Sequence, residues 1–114
     1  MTVSALETMV GEWITVASSD AIDPGYPLAV EFGGEEVLLY RVDGLLYATH
    51  GACTHTYASL AGGYLDGYEI ECPIHQGRFD VRTGRATREP CEEPLRAYRV
   101  REVDGAVQLS NTPF

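Results

Sequence analysis

The sequence predicts an all-β fold of short antiparallel strands, and three observations predict it. Runs rich in β-branched, aliphatic and aromatic residues recur at short intervals, with turn residues between them. Asp-Gly pairs at 43–44, 66–67 and 104–105 each lie between two such runs, where two-residue hairpin turns belong. No helical period is sustained over more than ten residues. Short strands at regular spacing close into an antiparallel barrel or sandwich.

In chain order, residues 3–10 are expected to form a helical turn or two, with Ser4 as N-cap and Glu7 at the capping-box position. Trp13 to Ala17 is a first strand, and Asp20 to Tyr26, with Asp23-Pro24-Gly25, is a turn. Leu28 to Phe32 and Val37 to Val42 are strands separated by Gly33-Gly34, and Asp43-Gly44 turns the chain into a return strand, Leu45 to Thr49. Tyr64-Leu65 and Tyr68 to Glu71 flank Asp66-Gly67 as a small hairpin, after Gly62-Gly63 has broken the chain. Arg78 to Val81 is a short strand closed by Thr83-Gly84, and Arg88 to Pro94 is a loop with two prolines. Leu95 to Val103 and Ala106 to Leu109 form the last hairpin across Asp104-Gly105.

The chain of 114 residues reads as one domain, 1–114, long enough for a single hydrophobic core. Its net charge of −9 argues against nucleic acid and against an anionic membrane surface as partners. The charge is uneven. Residues 1–77 hold eleven acids and one base, Arg41, whereas residues 78–114 hold six acids and seven Arg. That acidic pole is either a plain solvated surface or a face that meets basic partners.

Three cysteines cannot form a fully paired disulfide framework. No basic and apolar leader precedes Trp13, and no run of about eighteen apolar residues occurs. The expectation is a soluble, cytoplasmic protein with reduced thiols.

The chemistry concentrates between Cys53 and His75. Cys53-Thr54-His55 opens the stretch and Cys72-Pro73-Ile74-His75 closes it, with sixteen residues between the two pairs. Each pair offers one thiolate and one imidazole, a soft donor set suited to zinc or an iron–sulfur cluster rather than magnesium or calcium. Zinc modules usually set their cysteines close together and their histidines together, which differs from the order here. In both pairs Cys comes first and His second. If the loops face one another, thiolates pair with thiolates and imidazoles with imidazoles, as in a two-iron cluster with two Cys on one iron and two His on the other.

At this point the sequence resembles the Rieske iron–sulfur proteins, whose motif is C-x-H, a spacer of this length, and C-x-x-H. The resemblance runs from about Trp13 to Leu109. It is most specific at Tyr47-Ala48-Thr49, at Gly63-Tyr64-Leu65-Asp66-Gly67, and from Glu71 to Asp80 around the second loop. These stretches are similar to the small ferredoxins of bacterial aromatic-ring-hydroxylating dioxygenases, of the biphenyl and naphthalene kind. Thr56-Tyr57 departs from the pattern, since many of those ferredoxins have Gly next after the first His.

The resemblance implies the Rieske fold, with antiparallel sheets and a small cluster-binding subdomain at about 50–80 carried on two loops. It implies one [2Fe-2S] cluster, with Cys53 and Cys72 on an inner iron and His55 and His75 on an outer one. It implies an electron carrier and not an enzyme. The carrier is a monomer that takes electrons from a flavin-dependent, NAD(P)H-dependent ferredoxin reductase and passes them to a terminal Rieske oxygenase. A Rieske subunit of another oxidoreductase is the alternative within the family, and a structural zinc module the alternative outside it.

High-potential members carry an extra Cys in each loop and hydroxyl-bearing Ser and Tyr after the second His. Here the matching positions hold Ala58 and Ile74, and Gly77 and Phe79. Fewer donors to sulfur make reduction less favourable, so the expected potential is low, on the order of −150 mV.

Cys91, in the loop Glu89 to Pro94, reads as a free, partly buried thiol and not a fifth ligand or a redox switch. His50 reads as a surface or hydrogen-bonded residue. Trp13, Tyr47, Tyr64, Phe79 and Tyr98 read as core and rim packing. Arg78, Arg82 and Arg85 either pair with Asp80 and Glu71 or shape a docking face.

Overall fold

Strands pair antiparallel in three small sheets in the computed structural model, which describes residues 13–55 and 57–110. Among these residues the strands are β1 (Trp13–Ser18), β2 (Leu28–Phe32), β3 (Glu35–Val42), β4 (Leu45–His50), β5 (Tyr64–Asp66), β6 (Glu69–Glu71), β7 (Arg78–Asp80), β8 (Ala86–Arg88), β9 (Val100–Val103) and β10 (Ala106–Ser110). The sheets have the orders β1-β10-β9, β2-β3-β4 and β5-β6-β7-β8. Short 3-10 turns at Ser19–Ala21 and Leu60–Gly62 are the helical elements among the described residues, and none is long and apolar enough to cross a membrane. The helical turn expected at 3–10 lies outside them.

Two of the three Asp-Gly hairpins form as expected. Asp43 and Gly44 take φ of 52° and 78° between the paired residues Val42 and Leu45, and Asp104 and Gly105 take 52° and 79° between Val103 and Ala106. Positive φ at both central residues matches the right-handed twist of the flanking strands. The third hairpin is displaced by one residue. Asp66 pairs with Glu69, so the turn is Gly67-Tyr68 and Tyr68 is not in the strand. Gly67 alone takes positive φ there, 60°, which a Gly at the first central position permits.

Two further expectations are corrected. Ala86–Arg88 forms a strand, β8, where no strand was expected. Leu95 to Arg99 does not continue β9. Its backbone serves the edge of β4 instead: His50 N–H donates to Arg96 O at 2.8 Å, Tyr98 N–H donates to Ala48 O at 2.9 Å, and Ala97 bridges Thr49. The chain thus leaves one sheet for another at residue 99, a change of partner that local sequence does not encode.

β3 separates two hydrophobic cores. Val37, Leu38, Leu39 and Tyr40 are all fully buried. Because successive side chains point to opposite faces, Val37 and Leu39 join Ile22, Ala48, Val107 and Leu109 in one core. Leu38 and Tyr40 join Leu60, Leu65, Ile70, Phe79, Val81 and Leu95 in the other. The Tyr40 hydroxyl hydrogen-bonds Thr49 Oγ1 at 2.8 Å, satisfying two polar groups within the fold. Cys53, Cys72 and Cys91 also belong to the second core.

Candidate metal centre

Two loops carry the Cys–His pairs, and each is closed at its base by backbone hydrogen bonds. In the first, Cys53 N–H donates to Ala58 O at 2.8 Å, Tyr57 N–H to Cys53 O at 2.7 Å, and Leu60 N–H to Gly51 O at 2.7 Å. In the second, Cys72 N–H donates to Gly77 O at 2.7 Å. Such short closures need tight backbone. Tyr57, His75 and Gln76 take φ of 61°, 68° and 57°, and the other non-glycine residues of positive φ among those described are the two hairpin aspartates. Left-handed conformation costs a non-glycine residue roughly 1–2 kcal/mol, so strain concentrates on the loops that bear the donor side chains.

The loops divide the donors by depth. Cys53 is 1% exposed and Cys72 fully buried, whereas His55 and His75 are exposed. The two imidazoles face one another with ring centroids 6.0 Å apart and planes at 63°. Among the described residues, no three His, Cys, Asp or Glu side chains gather as a single ion would require. None of the three cysteines is in a disulfide. A pair of buried thiols beneath a pair of exposed imidazoles is a donor set for two metal positions, one inside and one outside, and fits a [2Fe-2S] group with mixed ligation. Thiolates carried into a core of Leu, Ile and Phe side chains need such a cation to offset their desolvation.

The basic residues behind the second loop serve the structure. Arg78 Nη1 donates to Asp66 Oδ2 at 3.0 Å and Glu69 Oε1 at 3.1 Å, and its Nε and Nη2 reach Glu71 Oε1 at 3.0 and 2.9 Å. These three carboxylates, Asp66 foremost, raise its already high pKa. Arg82 clamps Asp80 and lies 4.1 Å over the Tyr68 ring. Arg88 also approaches Glu71, at 3.5 Å. Arg85 is exposed and makes no ion pair among the described residues.

His50 is half-buried, its Nδ1 accepting from Ala52 N–H at 3.3 Å, so it is a hydrogen-bonded residue at the entry to the first loop. Phe79 is core, Tyr98 packs edge-on against Phe32, Tyr47 packs edge-on against Tyr68, and Trp13 is covered by Arg101. Tyr64 differs from expectation, being 60% exposed on a strand whose inward residue is Leu65.

Two features were not foreseen from sequence. Cys91 places its sulfur 3.8 Å from Cys53 Sγ, and burial, followed by the neighbouring Cys53, pushes its thiol up to about 12. Thr54 Oγ1 donates to Glu93 O at 2.7 Å, tying the 89–94 loop to the first Cys–His loop. Gly77, whose hydrogen would be replaced by a clash with the Cys91 sulfur in any other residue, is the one sequence signal of that approach.

Comparison with known proteins agrees with the donor geometry. Residues 12–99 match the Rieske [2Fe-2S] domain. The chain belongs to the Rieske [2Fe-2S] family. It is 45% identical over 101 residues to the ferredoxin component of the naphthalene 1,2-dioxygenase/salicylate 5-hydroxylase systems of a Ralstonia species, covering 89% of this chain and 97% of that relative.

Its fold is similar to that of the ferredoxin of carbazole 1,9a-dioxygenase from Nocardioides aromaticivorans IC177. The TM-score is 0.83, with 39% identity over 90% of this chain and 98% of that one. It is equally similar (TM-score 0.83, 38% identity, 90% and 95% covered) to a chain solved in the complex of reduced oxygenase and oxidized ferredoxin in carbazole 1,9a-dioxygenase. The all-β antiparallel fold and a Rieske-type [2Fe-2S] cofactor, both expected from sequence, are therefore those of this Rieske chain.

Proposed function

We propose that this Rieske chain is the electron-transfer component of a multicomponent aromatic-ring dioxygenase, and not itself an enzyme. It accepts single electrons from a flavin-dependent, NAD(P)H-dependent ferredoxin reductase and delivers them to a terminal Rieske oxygenase. The observation that carries the proposal is the pair of exposed imidazoles and the pair of buried thiols on two loops, in a fold similar to that of the ferredoxin of carbazole 1,9a-dioxygenase.

In this reading Cys53 and Cys72 hold the inner iron and His55 and His75 the outer. When bound, the cluster supplies reversible one-electron chemistry. The protein's part is to bury the thiolates away from water, present the imidazoles at a contact surface and keep all four donors on loops closed by backbone hydrogen bonds. Tyr57 at 82% exposure and Ile74 at 45% stand with the imidazoles on the two loops, an apolar rim suited to a dry contact with a partner.

The same proposal takes residues 1–114 as one domain with its cluster-binding subdomain at about 50–80, a monomer that works in the cytoplasm, where reductant is supplied. Gly77 and Phe79 offer no hydroxyl to sulfur, so the potential belongs at the low end of the Rieske range, on the order of −150 mV.

The test is chemical and kinetic. Purified protein should contain two irons and two acid-labile sulfides per chain and accept one electron. One zinc without sulfide would overturn the proposal, and so would a midpoint well above zero for its low-potential part. In a reconstituted system, His55→Ala should abolish delivery to the oxygenase; full turnover in that variant would remove His55 from the electron path.

A further inference from the structure

Cys91 lies outside the four-residue donor set, yet it is placed as carefully as any member of it. Its side chain is 5% exposed, and its sulfur is 3.8 Å from Cys53 Sγ. The approach depends on Gly77. A Cβ at that position would run into the Cys91 sulfur and come within 3.1 Å of the Cys91 amide nitrogen, so only glycine admits the thiol.

The surrounding loop is pinned on several sides. Cys91 N–H donates to Arg88 O at 3.2 Å, Thr54 Oγ1 to Glu93 O at 2.7 Å, and Leu95 N–H to Gly84 O at 2.7 Å. Gly84, at φ 82°, lets Leu95 cross so close that a Cβ would meet the Leu95 carbonyl. Two glycines and three hydrogen bonds thus hold one buried sulfur against another.

We propose that the Cys91 thiol donates a hydrogen bond to the Cys53 sulfur and thereby raises the reduction potential of the cluster. The inference rests on Cys53 being an iron ligand. As a bound thiolate, Cys53 has no proton to give, so Cys91 is the donor of the pair. Reduction adds one negative charge, part of which falls on the ligand sulfur, and a donor aimed at that sulfur stabilises the reduced form more than the oxidised one. In a buried site the contact is electrostatically stronger than it would be in water. Cys91 is therefore a tuning residue, which acts through Cys53 without binding iron.

The experiment compares holoprotein of the wild type, Cys91→Ala and Cys91→Ser by redox titration and by resonance Raman of the iron–thiolate bands in H2O and D2O. The alanine variant should lower the reduction equilibrium constant about three- to tenfold, since a net hydrogen bond is worth roughly 1 kcal/mol. Tenfold corresponds to about 59 mV for one electron. The same variant should lose part of the deuterium shift of the iron–thiolate bands, which a merely structural role would not move. Serine, which keeps a donor, should lie nearer the wild type on both readouts.

An alanine variant with wild-type midpoint and an unchanged deuterium shift overturns the proposal. Should the alanine variant fail to keep its cluster, wild-type protein with no deuterium shift, or a serine variant at the wild-type midpoint with the full isotope effect lost, overturns it as well. Iron and sulfide content of Cys53→Ala separates the two levels: a normal cluster there refutes the ligand assignment, whatever Cys91 does.

Discussion

Asp80 holds both the backbone and the side chain of Arg82. Its Oδ1 accepts from Arg82 N–H at 2.8 Å and Arg82 Nε at 3.1 Å, and its Oδ2 accepts from Arg82 Nη2 at 2.9 Å. The guanidinium hydrogen bonds, more than the backbone one, hold this carboxyl below the usual carboxylate range against the opposing effect of partial burial. A depressed pKa stabilises the fold fully above the unfolded value, about 3.9, and the contribution is lost as pH falls through the folded value.

Asp80→Asn keeps an oxygen for the backbone N–H but removes the charge and the second acceptor, which faces Arg82 Nη2. It should cost about 0.5–1 kcal/mol at pH 7, as partly exposed ion pairs do. The difference from wild type should shrink as pH falls below the unfolded value, about 3.9, and through the folded one. Urea denaturation across pH checks this, and a difference that stays constant into acid would contradict it. At this level the sequence was partly legible. Pairing of Arg82 with Asp80 was one of two readings the sequence left open, the other being a docking face. The positive φ of Tyr57, His75 and Gln76 was not legible, because it follows from how each loop closes. Nor was the Cys91 contact, which is made across 38 residues by a loop whose course depends on Gly77 and Gly84.

Strand β3 shows what an element can do that its residues cannot do singly. A run of four fully buried residues, Val37 to Tyr40, is unusual for an antiparallel strand with one wet face. It arises because the β2-β3-β4 sheet is covered on both sides. Leu38 and Leu39 are neighbours of the same type, both fully buried, on opposite faces and in different cores.

Truncation of either to Ala should therefore cost a similar amount, roughly 2–5 kcal/mol. The consequences should differ. Leu38→Ala loosens the core that contains Cys53 and Cys72, so visible absorbance of the cluster should be lost at a lower temperature than far-UV circular dichroism. Leu39→Ala should lose the two signals together. Equal behaviour of the two variants would mean that the cores unfold as one unit.

The same element explains the sequence's legibility. Strands bounded by Asp-Gly turns stand out, since turn chemistry and alternation agree. β8 and the passage from 95 to 99 do not, because three-residue pairings and a change of sheet are decided by distant partners. The Gly67-Tyr68 turn slipped by one residue because Asp-Gly there resembles the two real Asp-Gly turns, while the pairing of Asp66 with Glu69 sets the register.

Over the whole molecule, charge and shape divide the labour of association. The tip residues 53–58 and 73–77 include no Asp, Glu, Lys or Arg, and Tyr57, Pro73 and Ile74 are exposed beside the imidazoles. Among the described residues, Asp20, Asp23, Glu31, Glu35 and Asp43 are exposed carboxylates, and exposed Glu92 and Glu93 stand on the loop tied to Thr54. Arg78 and Arg82 pair with Asp66, Glu69, Glu71 and Asp80, two guanidiniums among four carboxylates, so that cluster keeps an acidic balance of its own. Long-range attraction should thus belong to the acidic body and short-range fit to the apolar tip.

The two components separate under salt. Raising ionic strength from about 10 to 300 mM shortens the Debye length from about 30 Å to well under 10 Å, which removes steering but leaves a dry contact intact. If a basic partner surface receives this chain, the second-order rate of electron transfer to the oxygenase should fall about tenfold or more over that range. The first-order rate within the preformed complex should stay nearly constant. Stopped-flow measurement of both gives the outcome. A second-order rate indifferent to salt would leave the acidic body as a solvated surface, and Tyr57→Ala together with Ile74→Ala should then be the changes that weaken docking.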